Sequence, residues 1–200
     1  MAEARRHVEA TSDRILDVAE RLVQVRGFNG FSYADVAAEL HVTKASLHYH
    51  FATKAELGRA LIERYAERFA RALAKIEARP ADASVMLQAY AEIYGNVLRR
   101  KRMCLCGMLA AEYRTLPKPM QDSVIRFFDL NHAWLARVLE RGRDDGTLRF
   151  SGPAEQVAEM IVGALEGAML VSRPYGDLTR FEAAANHLLA SLAPEATGAV

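Results

Sequence analysis

The segment Val42–Leu57 reads VTKASLHYHFATKAEL and contains the pattern Thr-Lys-Ala-x-Leu twice, ten residues apart. The threonine of each copy, Thr43 or Thr53, is a favourable helix N-cap residue. Each copy also places a lysine, Lys44 or Lys54, at the first helical position, where the helix dipole disfavours a cation by about 0.3–1 kcal/mol. The repeat therefore predicts two adjacent helices whose first residues carry a charge that the helices themselves do not favour.

Length and composition set the class of protein. The chain has 200 residues, of which 51% are hydrophobic, so it can bury a core in one or two domains. No run approaches about 18 uninterrupted apolar residues, and the N-terminus lacks the apolar stretch of a signal peptide. We therefore expect a cytoplasmic protein that does not interact with a membrane. Because the net charge is only +1, any nucleic-acid surface must be local.

Apolar residues recur at helical spacing along almost the whole chain. The first apolar stripe consists of Ile15, Val18, Ala19, Leu22 and Val25. No alternating run persists long enough to predict a strand. Pro80 interrupts the pattern, and longer, more apolar helices follow it. The chain therefore divides into a small N-terminal part and a larger helical part.

Two short helices precede the long one. Ser32 and Asp35 form a near capping box that starts the first, a turn follows at His41 and Val42, and Thr43 starts the second. Two short helices joined by a tight turn form a helix-turn-helix, whose second helix enters the DNA major groove. We predict an all-α fold of about nine helices, with a three-helix helix-turn-helix domain at residues 10–65. A long helix joins it to a larger helical domain at residues 80–193.

The second short helix has two different faces. At helical spacing, Leu47 and Phe51 share the inward face. The outward face and its flanks carry a methyl, a hydroxyl, an imidazole and a phenol, from Ala45, Ser46, His48 and Tyr49. Such side chains suit base edges, thymine methyls and phosphate oxygens. The alternative is an ordinary solvated helix in a bundle.

These segments resemble a known family. FSYADVA at residues 31–37, VTKASLHYHF at residues 42–51 and KAEL at residues 54–57 are similar to the DNA-binding domain of the TetR (tetracycline-repressor-like) family. The resemblance is continuous over about residues 10–65, and beyond Pro80 it is one of architecture. It implies a homodimeric, all-helical repressor with a small-molecule pocket in its C-terminal domain.

The same resemblance implies which residues contact double-stranded DNA. Phosphate contacts are implied for Ser32, Tyr33 and Thr43. Base or nearby phosphate contacts are implied for Lys44, Ala45, Ser46 and Tyr49, and backbone contacts for His48, His50 and Lys54. A phosphate partner would explain the two lysines at helix starts. We therefore expect Lys44 and Lys54 to matter for DNA affinity and little for folding.

The larger domain carries residues suited to a ligand cavity. They are Tyr90, Tyr94, Cys104, Met108, Phe127, Phe128, His132, Trp134, Glu166 and Met169. Aromatic and methionine side chains with a few polar groups suit a mostly apolar effector. Glu166, which interrupts an apolar run, is either a polar anchor or an outward-facing residue. The alternative for the whole set is a core at helical spacing.

Two cysteines follow a basic run. Cys104 and Cys106 come directly after Arg99–Arg102, and nearby cations favour a reactive thiolate. Arg102-Met103-Cys104-Leu105-Cys106-Gly107 is similar to an Arg-x-Cys-Leu-x-Gly stretch in a subset of the family, some of whose members respond to electrophiles or oxidants. The resemblance implies redox or electrophile sensing. The alternative is a buried apolar cysteine.

Small residues near the C-terminus suggest a dimer interface. Gly163 and Gly167 lie on one side of a helix and allow another helix to approach closely. The residues expected to join them from the last helix are Phe181, Ala185, Leu188 and Leu189. The alternative is packing within one chain.

The sequence therefore predicts a ligand-responsive regulator, a repressor that binds a pseudo-palindromic operator as a homodimer and is released by a small molecule. The alternative is a helical small-molecule-binding protein whose helix-turn-helix has only a packing role. An enzyme is not predicted, because no nucleophile–base–acid set or phosphate loop occurs, and no metal or cofactor is expected.

Overall fold

A computed structural model describes residues 2–194, with side chains for residues 10–194. Within residues 2–194 it contains nine α-helices and no strand, which confirms the predicted all-α fold. The helices are α1 (Ala2–Arg26), α2 (Tyr33–Leu40), α3 (Lys44–His50), α4 (Lys54–Glu77), α5 (Ala83–Arg99), α6 (Leu105–Ala111), α7 (Lys118–Asp144), α8 (Ala154–Ser172) and α9 (Leu178–Ala190). Two short 3₁₀ helices lie at Tyr113–Thr115 and Arg173–Tyr175.

The helices form two compact units that do not divide the sequence into two contiguous blocks. Among the described residues, the first unit contains residues 2–68 and Arg102–Phe127, and the second contains Phe69–Lys101 and residues 128–194. This division differs from the predicted domains at residues 10–65 and 80–193. The physical reason is that α6 packs against α1, so a segment distant in sequence belongs to the first unit.

The helix starts of the first unit follow the predicted caps. The Asp35 carboxylate accepts hydrogen bonds from the backbone N–H of Ser32 at 2.7 Å and from its hydroxyl at 2.6 Å. These bonds hold the pKa of Asp35 below its usual value. At the start of α3, Thr43 Oγ1 accepts from Ser46 N at 3.2 Å. The two short helices therefore begin where local side chains satisfy their first amides.

The start of α4 has the N-cap at Thr53 but not a complete capping box. Thr53 Oγ1 accepts from Glu56 N at 3.1 Å, as expected for an N-cap. The Glu56 carboxylate, however, accepts from Ala52 N at 3.0 Å, one residue before the position that a capping box would use. The connection between α3 and α4 is therefore tied to the first turn of α4.

A partly buried carboxylate joins α1 to α4. Glu20 accepts hydrogen bonds from Arg64, at 3.1 Å, and from Arg68. Its side chain is 11% exposed, and that of Arg64 is 18% exposed. Asp17, 65% exposed, contacts the same Arg64 at 2.9 Å from the solvent side. Arg64 therefore has one shielded and one exposed acidic partner.

The second unit is built from α5, α8, α9 and parts of α4 and α7. Its α8 packs on α9, and α9 packs on α5. The core includes Tyr90, Leu165, Met169 and Phe181, each at most 2% exposed. Burial of such side chains contributes about 1.5–3 kcal/mol each to folding. In the described range, no helix is both long and apolar enough to cross a bilayer.

The two acidic partners of Arg64 give a matched test. We expect Glu20→Gln to lower the free energy of unfolding by about 1.5–3 kcal/mol, because a shielded arginine loses its carboxylate. Asp17→Asn should cost less than about 1 kcal/mol, because exposed ion pairs contribute little. Urea unfolding of both variants measures the difference. Equal losses from the two variants would contradict the assigned role of burial.

Candidate functional site

Predicted contact residues from three helices line one hollow of about 370 Å³ in the first unit. The lining residues are Phe31, Ser32, Tyr33, Ala34, Lys44, His48 and Lys54. The sequence predicts DNA contacts for five of them, and the hollow adds Phe31 and Ala34. The hollow therefore combines the start of α2, the outer side of α3 and the start of α4.

Tyr33 fixes the turn after α3. Its hydroxyl donates to Phe51 O at 2.8 Å, and its ring lies 4.7 Å from the ring of His48. Burial, followed by the charge of Glu56, raises the pKa of Tyr33 to about 12. The phenol therefore stays protonated and remains a donor at physiological pH.

The His48 side chain contacts the backbone just after α3. Its Nδ1 lies 3.0 Å from Ala52 O, which can only accept, so Nδ1 carries the proton. The imidazole side chain is exposed beside the hollow. This contact leaves the other ring nitrogen, Nε2, for an outside partner.

The outward face of α3 is exposed as its helical spacing predicted. Leu47 is fully buried, whereas Tyr49 is 76% exposed. Lys44, Ala45 and His48 are exposed, and Ser46 and His50 are half-buried. On this face, His48 contacts Tyr33 and Ala52, whereas Lys44, Ala45 and Tyr49 extend into solvent.

The two lysines of the repeated pattern have different surroundings. Lys54 Nζ donates to Phe28 O and Phe31 O, both at 2.5 Å, and lies 4.5 and 4.3 Å from the centroids of their rings. Burial lowers the pKa of Lys54, and the charges of Glu112 and Asp35 oppose that shift. The expectation that Lys54 matters little for folding does not fit this placement, because two of its three donors bind backbone carbonyls.

Lys44 fits the expectation better. It is exposed at the edge of the hollow, and within residues 10–194 it forms no hydrogen bond or ion pair that would hold its ammonium. Its charge is therefore available to an anion that approaches α3.

Glu112 is a residue that sequence reasoning missed. Its carboxylate accepts from Phe28 N at 2.6 Å, across 84 residues of sequence. No local pattern could have found it, because the contact depends on how α6 packs against α1. Glu112 and Lys54 therefore bind the same turn, Glu112 at the Phe28 amide and Lys54 at the Phe28 carbonyl.

The predicted ligand residues divide between the two units. Cys104, Met108 and Phe127 belong to the first. The others, Tyr90, Tyr94, Phe128, His132, Trp134, Glu166 and Met169, belong to the second. The predicted ligand residues therefore do not all belong to one unit.

The second-unit group contains a buried polar cluster. The Tyr90 ring stacks on Trp134, with centroids 5.6 Å apart, and its hydroxyl donates to Asn131 Oδ1 at 3.2 Å. Tyr94 adds a second hydroxyl, 3.1 Å from that of Tyr90. Trp134 is 3% exposed, and its indole N–H has no hydrogen-bond acceptor among the described residues. Asn131, which the sequence analysis did not select, completes the cluster.

Both cysteines are shielded from solvent. Cys104 is 1% exposed and Cys106 is 0% exposed, and they form no disulfide. The Tyr65 hydroxyl lies 3.6 Å from Cys104 Sγ, and the Tyr65 ring packs 5.6 Å from that of Phe127. An electrophile would therefore reach either thiol only after the surrounding side chains moved apart.

One face of α8 is apolar and open. A Cβ added at Gly163 or Gly167 would meet no described atom within 4 Å. Met160, Leu170 and Val171 on the same helix are 48%, 60% and 65% exposed. A glycine-containing apolar face of this kind allows a second helix to approach closely.

The predicted interface residues on α9 need correction. Phe181 and Ala185 are 2% and 5% exposed in the single chain, so a partner could cover almost none of their remaining surface. Both are core residues, as the alternative of packing within one chain had it. Leu188 and Leu189 are half-buried and keep some surface available.

Two family models match this chain. The model described as bacterial regulatory proteins, tetR family, matches residues 15–61, which include the hollow and α3. The model described as tetracyclin repressor-like, C-terminal domain, matches residues 83–188.

Individual proteins give the same result. A TetR-family transcriptional regulator from Agrobacterium tumefaciens has a crystal structure with a TM-score of 0.90 and 31% identity, covering 94% of this chain and 100% of that chain. The HTH-type transcriptional regulator CymR of Pseudomonas putida is 29% identical over 196 residues, covering 94% of this chain and 91% of CymR. The reduced form of E. coli NemR has a TM-score of 0.81 and 26% identity, over 94% of this chain and 100% of NemR. The chain belongs to the TetR family of bacterial transcriptional regulators.

Proposed function

We propose that this regulator is a cytoplasmic repressor that binds a pseudo-palindromic operator as a homodimer and is released by a small molecule. In this arrangement each protomer places α3 in the major groove, and the two half-sites lie about 34 Å apart. The observation that carries the proposal is the outward face of α3, where Tyr49 is 76% exposed and the exposed Lys44 lines the hollow.

The residues of this face have separate roles in the proposed complex. Lys44 neutralises a phosphate, since its ammonium is exposed and charge-assisted bonds to phosphate are strong. Ala45 permits close approach and offers a methyl to thymine, and Tyr49 reaches base edges or the adjacent backbone. Tyr33 and His48 lie against one another and position a phosphate in the hollow.

The open face of α8 is the proposed dimer surface. Met160, Leu170 and Val171 would lose solvent-exposed apolar area, and Gly163 and Gly167 would let the partner's backbone come close. Leu188 and Leu189 contribute from α9. Self-complementary contacts of the same surface on both protomers produce a two-fold axis, which matches a pseudo-palindromic operator.

The buried polar cluster of the second unit is the proposed effector site. A mostly apolar effector would fit the aromatic surroundings of Tyr90 and Trp134, and an acceptor atom would satisfy the indole N–H. Release of DNA then follows if the effector binds the conformation with low operator affinity more tightly than the other.

DNA reading by α3 is tested with operator sequences enriched from random double-stranded DNA by the full-length protein. We expect Lys44→Ala and Tyr49→Ala each to weaken binding to that operator by about 1–3 kcal/mol. Fluorescence anisotropy measures the affinity, and Glu63→Ala on the exposed side of α4 is the control. Undiminished affinity in both α3 variants would favour a helical ligand-binding protein whose helix-turn-helix only packs.

The two lysines of the repeated pattern provide a second test. Lys54→Met should lower the free energy of unfolding by about 1.5–3 kcal/mol, because its ammonium bonds to two carbonyls are lost. Lys44→Met should leave stability unchanged or raise it by about 0.3–1 kcal/mol. In operator binding, Lys44→Met should reduce the log–log salt slope by about 0.9, one phosphate contact. A stability loss from Lys44→Met equal to that from Lys54→Met would refute the division of roles.

The dimer surface is tested with two leucines of similar exposure. Leu170 on α8 is 60% exposed and Leu130 on α7 is 63% exposed. We expect Leu170→Glu to shift the protein from dimer to monomer, because two carboxylates would be buried across the axis. Leu130→Glu should leave the dimer intact. Analytical ultracentrifugation measures both, with circular dichroism as a check of folding, and a dimeric Leu170→Glu protein would exclude this surface.

A further inference from the structure

The turn between α1 and α2 is held from two sides by charged groups. The Glu112 carboxylate accepts from Phe28 N at 2.6 Å and from Asn29 N at 3.3 Å. Lys54 donates to Phe28 O and Phe31 O at 2.5 Å. The Phe28 amide therefore donates to a carboxylate, and the Phe28 carbonyl accepts from an ammonium group. Phe31 directly precedes Ser32, the N-cap residue of α2.

A second link runs parallel to the first. Asn29 Nδ2 donates to Thr115 Oγ1 at 2.7 Å, and the Thr115 hydroxyl donates to Glu112 O at 2.8 Å. Gly27 completes the fit: its φ is +84°, and a Cβ there would lie 2.6 Å from Glu112 Oε1. Only glycine leaves room for the carboxylate while adopting this backbone.

Glu112 is carried by the segment that follows α6. It is the C-cap residue of that helix, and the segment just before α6 is also bonded to α1, through Met103 N and Gln24 O at 3.2 Å. Movement of α6 would therefore move the Glu112 carboxylate away from the two amides that it binds.

We propose that Glu112 is the positioning residue through which α6 sets the orientation of the helix-turn-helix. With the carboxylate in place, the turn has one conformation, and α2 and α3 start from a defined point. When α6 shifts, two amide N–H groups lose a charged acceptor and the turn gains alternative conformations. The inference rests on the proposed function, because it concerns the orientation in which α3 reaches DNA.

A positioning role for Glu112 predicts a different set of measured changes from a role in stability alone. Glu112 has no place on the outward face of α3, so its loss removes no phosphate contact. Operator affinity should fall while its salt slope remains that of the parent. Local exchange of the Phe28 and Asn29 amides should accelerate, because these two groups lose their acceptor.

The experiment compares full-length Glu112→Ala and Glu112→Gln with the parent, and uses Glu63→Ala as the control carboxylate. Binding to the enriched operator is measured across a salt series, and amide hydrogen exchange is measured without DNA. We expect Glu112→Ala to bind about tenfold more weakly with an unchanged salt slope. Glu112→Gln, which keeps one acceptor oxygen, should lie between this variant and the parent. Glu63→Ala should match the parent in both measurements.

The outcomes separate the two proposals. A parent protein that enriches no DNA sequence overturns the proposed function and this inference with it. A parent that binds, while Glu112→Ala binds equally tightly, overturns only the role of Glu112. Protection of both amides in Glu112→Ala equal to that of the parent also overturns it. If Glu112→Ala does not fold, Glu112→Gln and Thr115→Val, which weaken one link each, carry the same comparison.

Discussion

A helix of seven residues is too short to be stable in water by itself, so α3 depends on contacts made at its two ends and on its inner face. Thr43 caps its first turn, and Leu47 is fully buried beneath it. The Tyr33 hydroxyl binds Phe51 O at its end. Because these three contacts hold the helix, Lys44, Ala45 and Tyr49 on its outer side are not needed for packing and remain exposed.

The turn between α1 and α2 is held by polar contacts rather than by apolar packing alone. The turn before α2 is a short irregular segment whose amides and carbonyls need partners. Glu112 and Lys54 provide them from opposite sides, with opposite charges. A purely apolar contact would bury the turn without fixing its conformation. Directional hydrogen bonds to the Phe28 amide and carbonyl fix that conformation.

Local signals in the sequence predicted much of this unit, and long-range contacts were the part that they could not reach. Caps at Ser32 and Thr43 and the inward position of Leu47 depend on residues within four positions of one another. Lys44 and Lys54 share the same local pattern, yet Lys54 turns inward because Phe28 and Phe31 happen to lie above it. Nothing within ten residues of Lys54 carries that information.

In the second unit, too, local sequence predicts the helices but not the contacts between them. Helical spacing identified Phe181 and Ala185 as apolar positions of α9, but spacing alone does not distinguish a face covered by α5 and α8 from one left for a partner. Asn131 was missed because its neighbour Tyr90 lies 41 residues away in sequence. In the first unit, the sequence of α6 likewise does not show that this helix packs against α1.

The exposed side of α3 has a consequence for how such regulators diversify. Replacing Ala45 or Tyr49 alters no buried contact, since neither side chain packs in the interior of the described chain. Evolution can therefore change the residues proposed to contact DNA one at a time without disturbing the core that folds the helix. After duplication of the gene, the two copies could acquire distinct target sequences while keeping the same core, and the scaffold would impose no penalty on either.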